Sequence, residues 1–285
     1  MTLVSWREKW LLLLLLLLFI LIFLIIPFGI NLLYSISDVK FETLRQFNIN
    51  GPENYQKVLV DREFWMAGWF SLRFGLITAA LECLLGLFLA VFLSPLFKKR
   101  SWLLAILMMP MMIAPSLMGL MYRLVLHEFV GPVPYYLYEW FGNSPAFLDG
   151  KNAFRTLVVI EVLQWTPFAM LLFYVAYAGI PESIRAARID GASATQMLRL
   201  ISLPIIMPAL LVGFIIRFID GFRVFDNVFV LTRGGAGGST TSLPIYIYQK
   251  FFQQGEIGVA VAASMIFLVL SFILLFILNR LSRSS

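Results

Sequence analysis

Residues 180–208 read IPESIRAARIDGASATQMLRLISLPIIMP, from Ile180 to Pro208. This is the longest polar interruption in the C-terminal half, and apolar runs flank it on both sides. A segment carrying Glu182, Arg185, Arg188 and Asp190 cannot sit in hydrocarbon, so it must face water. Its centre is built from small residues, Ala186, Ala187, Gly191 and Ala192, which leave a low surface for another protein to approach. Gly191 permits a sharp bend there. The stretch therefore reads as a water-facing elbow between two membrane-crossing helices.

Working outward, the rest of the chain supports that reading. Of its 285 residues, 60% are hydrophobic and only 13% are charged, and the mean hydropathy is +0.87. Soluble domains carry about a quarter charged residues. Long Leu, Phe and Ile runs exclude a β-barrel, whose strands alternate. A spanning helix needs about 20 apolar residues. Six such spans are expected, at about 11–34, 64–93, 102–126, 153–179, 204–225 and 258–279. The first carries the leucine run Leu11–Leu18 and lacks an Ala-x-Ala cleavage site, so it reads as an uncleaved helix. A surface helix is expected over Asn54–Phe64, leading to Trp65 and Trp69 at headgroup depth. Pro110 and Pro115 predict a break in the third span. The expected domains are 1–63, a first helix with an outer loop, and 64–285, a five-helix core carrying the loop 180–208.

Basic residues give the orientation. With the N-terminus inside, the inner segments hold Arg7, Lys9, Lys98, Lys99, Arg100, Arg185, Arg188, Arg199, Arg280 and Arg283 against Glu8, Glu182 and Asp190. In the outer segments acids outnumber bases. Both termini and the elbow are thus expected to be cytoplasmic, and the net charge of +6 follows from membrane orientation rather than from nucleic-acid binding. Cys83 is the single cysteine and His127 the single histidine, so neither a disulfide nor a transition-metal site is expected.

The elbow resembles the EAA loop of the membrane-spanning permease subunits of ABC importers. Ala186, Ala187, Asp190, Gly191 and Ala192 match the core of that pattern, and Leu198, Ile201, Leu203, Pro204 and Pro208 match its continuation. Arg185 stands where the family usually has Glu. The resemblance implies an all-α integral membrane protein of six transmembrane helices with the type I importer permease fold. It implies a multi-pass protein of the bacterial or archaeal cytoplasmic (inner) membrane, and a coupling role for Arg185, Ala186, Ala187, Asp190, Gly191 and Ala192. It also implies partners: a second permease subunit, two cytoplasmic ATPase subunits that bind the ATP and Mg, and an extracytoplasmic solute-binding protein. LTRGGAGGSTT, Leu231–Thr241, lacks the Gly-Lys-Ser/Thr ending of a phosphate-binding loop. It resembles the segment after the fifth helix in the sugar-permease branch, on the maltose F-type side, although Ala236 replaces the usual Pro.

Charges inside the spans mark where a solute could pass, because each costs roughly 2.5–3.5 kcal/mol at a helix centre. Glu161, Gln164, Trp165 and Phe168 form one group on the fourth span. Arg217, Asp220, Gly221 and Val224 recur at i, i+3, i+4 and i+7 on the fifth. At 1.5 Å per residue, Glu161 and Arg217 each lie about 10 Å below the outer surface. Carboxylate, amide, guanidinium and aromatic rings suit a sugar's hydroxyls and C–H faces, and the resemblance to maltose-type permeases places the sugar-binding stripe on these same positions. A plainer reading stays open, in which Glu161, Arg217 and Asp220 only pair to hold helices together. Arg73, Glu82, Arg123 and Arg223 read as structural ion pairs or snorkelling groups. Arg217, Arg223 and Arg123 also keep open an importer of an anionic sugar derivative. Glu161, Asp220 and Glu82 keep open an ion-coupled transporter. No residue cluster suggests an enzyme, and no cofactor is expected in this chain.

Overall fold

A computed structural model describes residues 6–44, 48–180 and 191–284. The chain divides into two compact units, 1–64 with 246–270, and 65–245 with 271–285.

In the first unit, α1 (Trp6–Ile20) passes through a π-turn, Leu21–Ile25, into α2 (Ile26–Ser35). Pro27 sits in the first turn of α2, and the wide turn just before it accommodates the missing N–H and the bulk of the ring. The leucines of α1 are exposed along its length, as befits a surface that meets lipid. Beyond α2 a two-residue ladder pairs β1 (Ser37–Asp38) antiparallel with β2 (Asn48–Ile49). The buried Asn54 of α3 (Glu53–Val60) donates to the carbonyls of Ser35 at 3.1 Å and Ser37 at 2.8 Å, fastening the end of α2.

The expected surface helix stops at Val60 instead of reaching Phe64. Asp61 adopts an extended conformation, and its Oδ1 accepts the Glu63 N–H at 2.8 Å, so it caps the next helix. Asp61 also accepts from the Tyr246 hydroxyl at 2.7 Å and lies 3.3 Å from Lys250 Nζ. Burial alone would push this carboxyl up. The Tyr246 hydroxyl, the Glu63 N–H and Lys250 outweigh it and hold the carboxyl below its ordinary value.

The second span, α4 (Arg62–Lys99), is 38 residues, about 57 Å at helical rise. It runs through Pro95 to the basic cluster, past the expected end near Leu93. Proline is tolerated here because only one backbone bond is lost within a long helix. The third span is broken as expected. Its two halves, Trp102–Met112 and Pro115–Val125, meet at 81°; we call the helices α5 (Trp102–Met108) and α6 (Pro115–Val125). Then come α7 (Pro132–Phe141), α8 (Ala153–Ala178), the short capped turn α9 (Ala194–Gln196), α10 (Leu203–Phe222), α11 (Asp226–Thr232), α12 (Leu243–Tyr248) and α13 (Ile257–Ser284). Among the described residues five helices are long and apolar enough to cross a membrane, and six when the bent pair is counted as one span.

The second unit holds its helices close through glycines on α4. A Cβ on Gly75 would lie 2.8 Å from the Phe222 backbone nitrogen, and one on Gly86 would lie 2.7 Å from the Ala169 Cβ. These contacts let α4 lie directly against α10 and α8, the packing that small residues allow where lipid gives no hydrophobic drive. Phe70, Phe74, Leu157, Ile160, Val224 and Val228 fill one core, and Ala90, Phe97, Met170 and Phe173 another. The glycine-rich loop after α11 bonds to itself and to its frame. Thr232 Oγ1 meets Thr240 Oγ1 at 2.8 Å, Ser242 donates to the Val224 carbonyl at 2.6 Å, and the Leu243 N–H donates to Ser71 at 2.9 Å.

Candidate functional site

Three helices converge on one guanidinium. Arg217 of α10 is fully buried, and its Nε and Nη2 grip the Glu82 carboxylate of α4 at 2.5 and 3.3 Å. This is the forked geometry that Arg offers a carboxylate. Nη2 also reaches Glu161 of α8 at 3.4 Å, and Nη1 reaches Asp220 at 3.2 Å. The indole of Trp165 covers the guanidinium, with Cζ 4.5 Å from the ring centroid. A charge here is held by partners on every side, which is the condition for burying it at all.

Beside the cluster lies a cleft of ≈ 260 Å³, lined by Pro115, Glu161, Trp165, Arg217, Asp220, Arg223, Val224, Phe225, Asp226 and Asn227. Five of the eight residues expected to face a solute are on its wall: Glu161, Trp165, Arg217, Asp220 and Val224. The other three are elsewhere. Gln164 is fully buried behind the wall; its Nε2 donates to the Ile113 carbonyl at 2.9 Å, a group freed by the bend between α5 and α6. Gly221 faces α4, where an added Cβ would lie 2.9 Å from Gly75 Cα and Thr78 Oγ1. Phe168 is half-buried and outside the cleft lining.

Glu82 is the tightest partner of Arg217, in keeping with its reading as a structural ion pair. Arg223 pairs with Asp220 at 3.3 Å, Arg123 donates to the Val230 carbonyl at 3.1 Å, and Arg73 lies 3.9 Å from the Phe154 ring centroid. The plainer reading of Arg217 thus has its geometry: it pairs with both Glu161 and Asp220, while those same groups also line the cleft.

Sequence reading missed Asn227. Its Nδ2 donates to Glu161 Oε2 at 2.8 Å and to Gln164 Oε1 at 3.0 Å, tying α11 to α8. The signal was present: the stripe Arg217, Asp220, Gly221, Val224 continues to 227 at the next helical step. Arg223–Phe225 interrupts the helix there, so the periodicity of a single helix does not reach it.

Of the elbow, Arg185, Ala186, Ala187 and Asp190 lie outside the described residues. Gly191 has φ +85°, no described residue lies within 4 Å of where its Cβ would stand, and Ala192 follows it. Ser193 then caps α9, accepting the Gln196 N–H at 3.3 Å.

Long apolar helices, a broken span, and in the second unit a buried ion-pair cluster beside a polar cleft mark a multi-pass membrane protein. Comparison with known proteins agrees. Residues 82–284 match the family described as "Binding-protein-dependent transport system inner membrane component". The chain is 35% identical over 236 residues to the trehalose/maltose transport system permease protein MalF of Thermococcus litoralis, covering 80% of this chain and 78% of that protein. It is 31% identical over 242 residues to the trehalose transport system permease protein SugA of Mycobacterium tuberculosis, covering 84% and 77%. A crystal structure of a bacterial ABC transporter involved in import of the acidic polysaccharide alginate superposes with a TM-score of 0.83 over 98% of this chain and 96% of that one; at 20% identity it speaks to the fold. The chain belongs to the family of binding-protein-dependent transport system inner membrane components. It is a permease of an ABC importer, a multi-pass protein of the inner membrane with the type I importer fold, and a transport protein rather than an enzyme.

Proposed function

We propose that this permease carries a neutral sugar, polyol or glycoside inward. The observation that carries this reading is the cleft between α6, α8, α10 and α11, where carboxylates, an amide and an indole stand together among apolar helices. Such a wall serves hydroxyls and C–H faces at once. The relatives named for trehalose and maltose support it. The cleft also weighs against an anionic cargo. Of the residues lining it, Glu161, Asp220 and Asp226 outnumber Arg217 and Arg223 in formal charge, a balance that disfavours anions. Arg217, the group that would have drawn an anion, is taken by three carboxylates.

The proposed machine has a second permease, two cytoplasmic ATPase subunits holding ATP and Mg, and an extracytoplasmic solute-binding protein. Both termini and the loop 180–208 face the cytoplasm, and domain 64–285 does the work, with 1–63 appended. Arg185, Ala186, Ala187, Asp190, Gly191 and Ala192 take the ATPase stroke, which alternates access to the cleft. The test is uptake of radiolabelled trehalose and maltose by proteoliposomes holding the complete transporter. ATP-dependent uptake that competes with neutral glycosides and ignores glucose 6-phosphate is expected. Uptake blocked by the sugar phosphate alone would favour an anionic cargo, and uptake that persists without ATPase subunits and collapses with a protonophore would favour ion coupling.

A further inference from the structure

We infer that a second pocket, about 18 Å along α4 from Glu82 at helical rise, seats the phosphate of an anionic membrane lipid between the end of α4 and the exit of the elbow. The orientation proposed above enters only in saying which leaflet supplies the lipid.

The pocket has a volume of ≈ 510 Å³ and lies within the second unit. Its walls come from the C-terminal turns of α4 and α8 and from the run that leaves the elbow, α9 with the π-turn Met197–Ser202. Ser94, Lys98, Thr195 and Ser202 supply polar groups, and Val91, Phe92 and Leu198 supply apolar surface. Ser94 and Ser202 are each 5% exposed, and neither hydroxyl has a hydrogen-bond partner among the described residues. The unbonded side-chain polar atoms that are sealed from the surface belong to Asn50, Thr166 and Asn227. The two serine hydroxyls are not sealed, so the little surface they keep opens into the pocket they line. A serine in a helix usually bonds the carbonyl one turn back, and a buried hydroxyl left open is costly. Two of them face one cavity here.

Charge selects the ligand. Lys98 stands on the wall, Lys99 and Arg100 follow it in sequence, and none of the three is ion-paired among the described residues. No carboxylate is among the described residues of the wall, so nothing there would receive an ammonium group or a metal. An ammonium with hydroxyl donors beside it is a site for an oxyanion. The apolar surface says where that oxyanion comes from. Phe92 is 67% exposed and stacks on Phe88, 60% exposed, with centroids 5.6 Å apart on a helix long and apolar enough to span a membrane. A pocket whose polar groups stand at the end of a span and whose wall continues into exposed rings suits a phosphate that carries acyl chains. Basic pockets between spans hold such headgroups. The headgroup would tie α4 to the segment leaving the elbow.

The test places the complete transporter in phosphatidylcholine vesicles doped with a photo-crosslinking phosphatidylglycerol and locates the label by peptide mapping. Wild type should take label on residues 91–98 and 194–202. Lys98→Ala should lower that label about fivefold, the worth of one basic side chain at an anionic surface. Lys98→Arg should retain it, and Ser94→Ala with Ser202→Ala should lower it. Lys99→Ala removes the same charge off the wall and should keep most of the label. Excess unlabelled phosphatidylglycerol should protect both stretches, and inorganic phosphate should not. Equal losses in Lys98→Ala and Lys99→Ala would mean general attraction by basic residues, and label spread evenly over the spans would mean bulk lipid contact. Protection by inorganic phosphate would mean a soluble anion. Each of these, or label absent from both stretches, overturns the inference. Labelling is read without transport, so it stands if sugar uptake fails, and the sugar reading stands if labelling fails.

Discussion

Arg217 and Glu82 stand 135 residues apart in sequence and make the closest ion pair among the described residues of the second unit, 2.5 Å between Nε and Oε2 with both side chains buried. Removing one partner of such a pair leaves a charge without a counterpart, at about 3–5 kcal/mol. Glu82→Ala is therefore expected to lower the midpoint of thermal unfolding in detergent and the yield of assembled transporter. Glu82→Gln, which keeps a hydrogen bond, should fall between it and wild type. Arg217→Met should cost at least as much as Glu82→Ala, because it strands Glu161 and Asp220 as well as Glu82. An Arg217→Met variant as stable as wild type would refute this account.

The glycine contacts give a second prediction with an internal control. Gly86→Val must push α4 away from Ala169 and Met170, an overpacking expected to cost at least about 1–3 kcal/mol. Gly29→Val meets nothing within 4 Å and should be silent in both yield and unfolding. Equal effects of the two substitutions on unfolding would show that helix proximity is not what Gly86 provides.

Asp61 gives a pH dependence with a definite sign. Its folded carboxyl titrates below the ordinary value of about 3.9 because Tyr246, the Glu63 N–H and Lys250 favour the charged form. A depressed carboxyl contributes stability that is complete above the ordinary value and disappears as pH falls through the folded one. Unfolding midpoints of wild type and Asp61→Asn should differ near pH 7 and converge under strong acid. The Tyr246 phenol, pushed up by burial and by the Asp61 carboxylate, stays a donor throughout that range. A gap that widens on acidification would contradict the assignment.

Gly191 tests the coupling proposal. With φ +85° and no described residue within 4 Å of its Cβ position, it should accept a larger residue with backbone strain of about 1–2 kcal/mol, too little to prevent insertion. Gly191→Trp is expected to insert and assemble yet lose ATP-driven uptake, with Gly191→Ala intermediate. Normal uptake by the tryptophan variant would count against ATPase contact at this elbow.

How legible was all this in the sequence? The spans were, because runs of about 20 apolar residues admit few other readings, and Pro110 and Pro115 announced the bend. Boundaries at Val60 and Lys99 were not: the first depends on Asp61 capping its neighbour, the second on Pro95 being carried inside a long helix. In the candidate site, periodicity pointed to Glu161, Trp165, Arg217, Asp220 and Val224, which stand together on the cleft wall. It could not tell which side of a helix meets another helix. Gly221 lies against Gly75 and Gln164 against Ile113, and both depend on α4 and α6, whose placement no local pattern encodes. Asn227 was lost because helical counting stopped where the helix does.

The amide of Gln164 is shared between two places that a transport cycle would treat differently. One end holds the carbonyl that the 81° bend leaves open, and the other steadies Asn227. Straightening the third span would withdraw that carbonyl and release the latch on Asn227 in the same movement. The helix break and the wall of the cleft are thus joined through a single side chain, so a change at either one reaches the other.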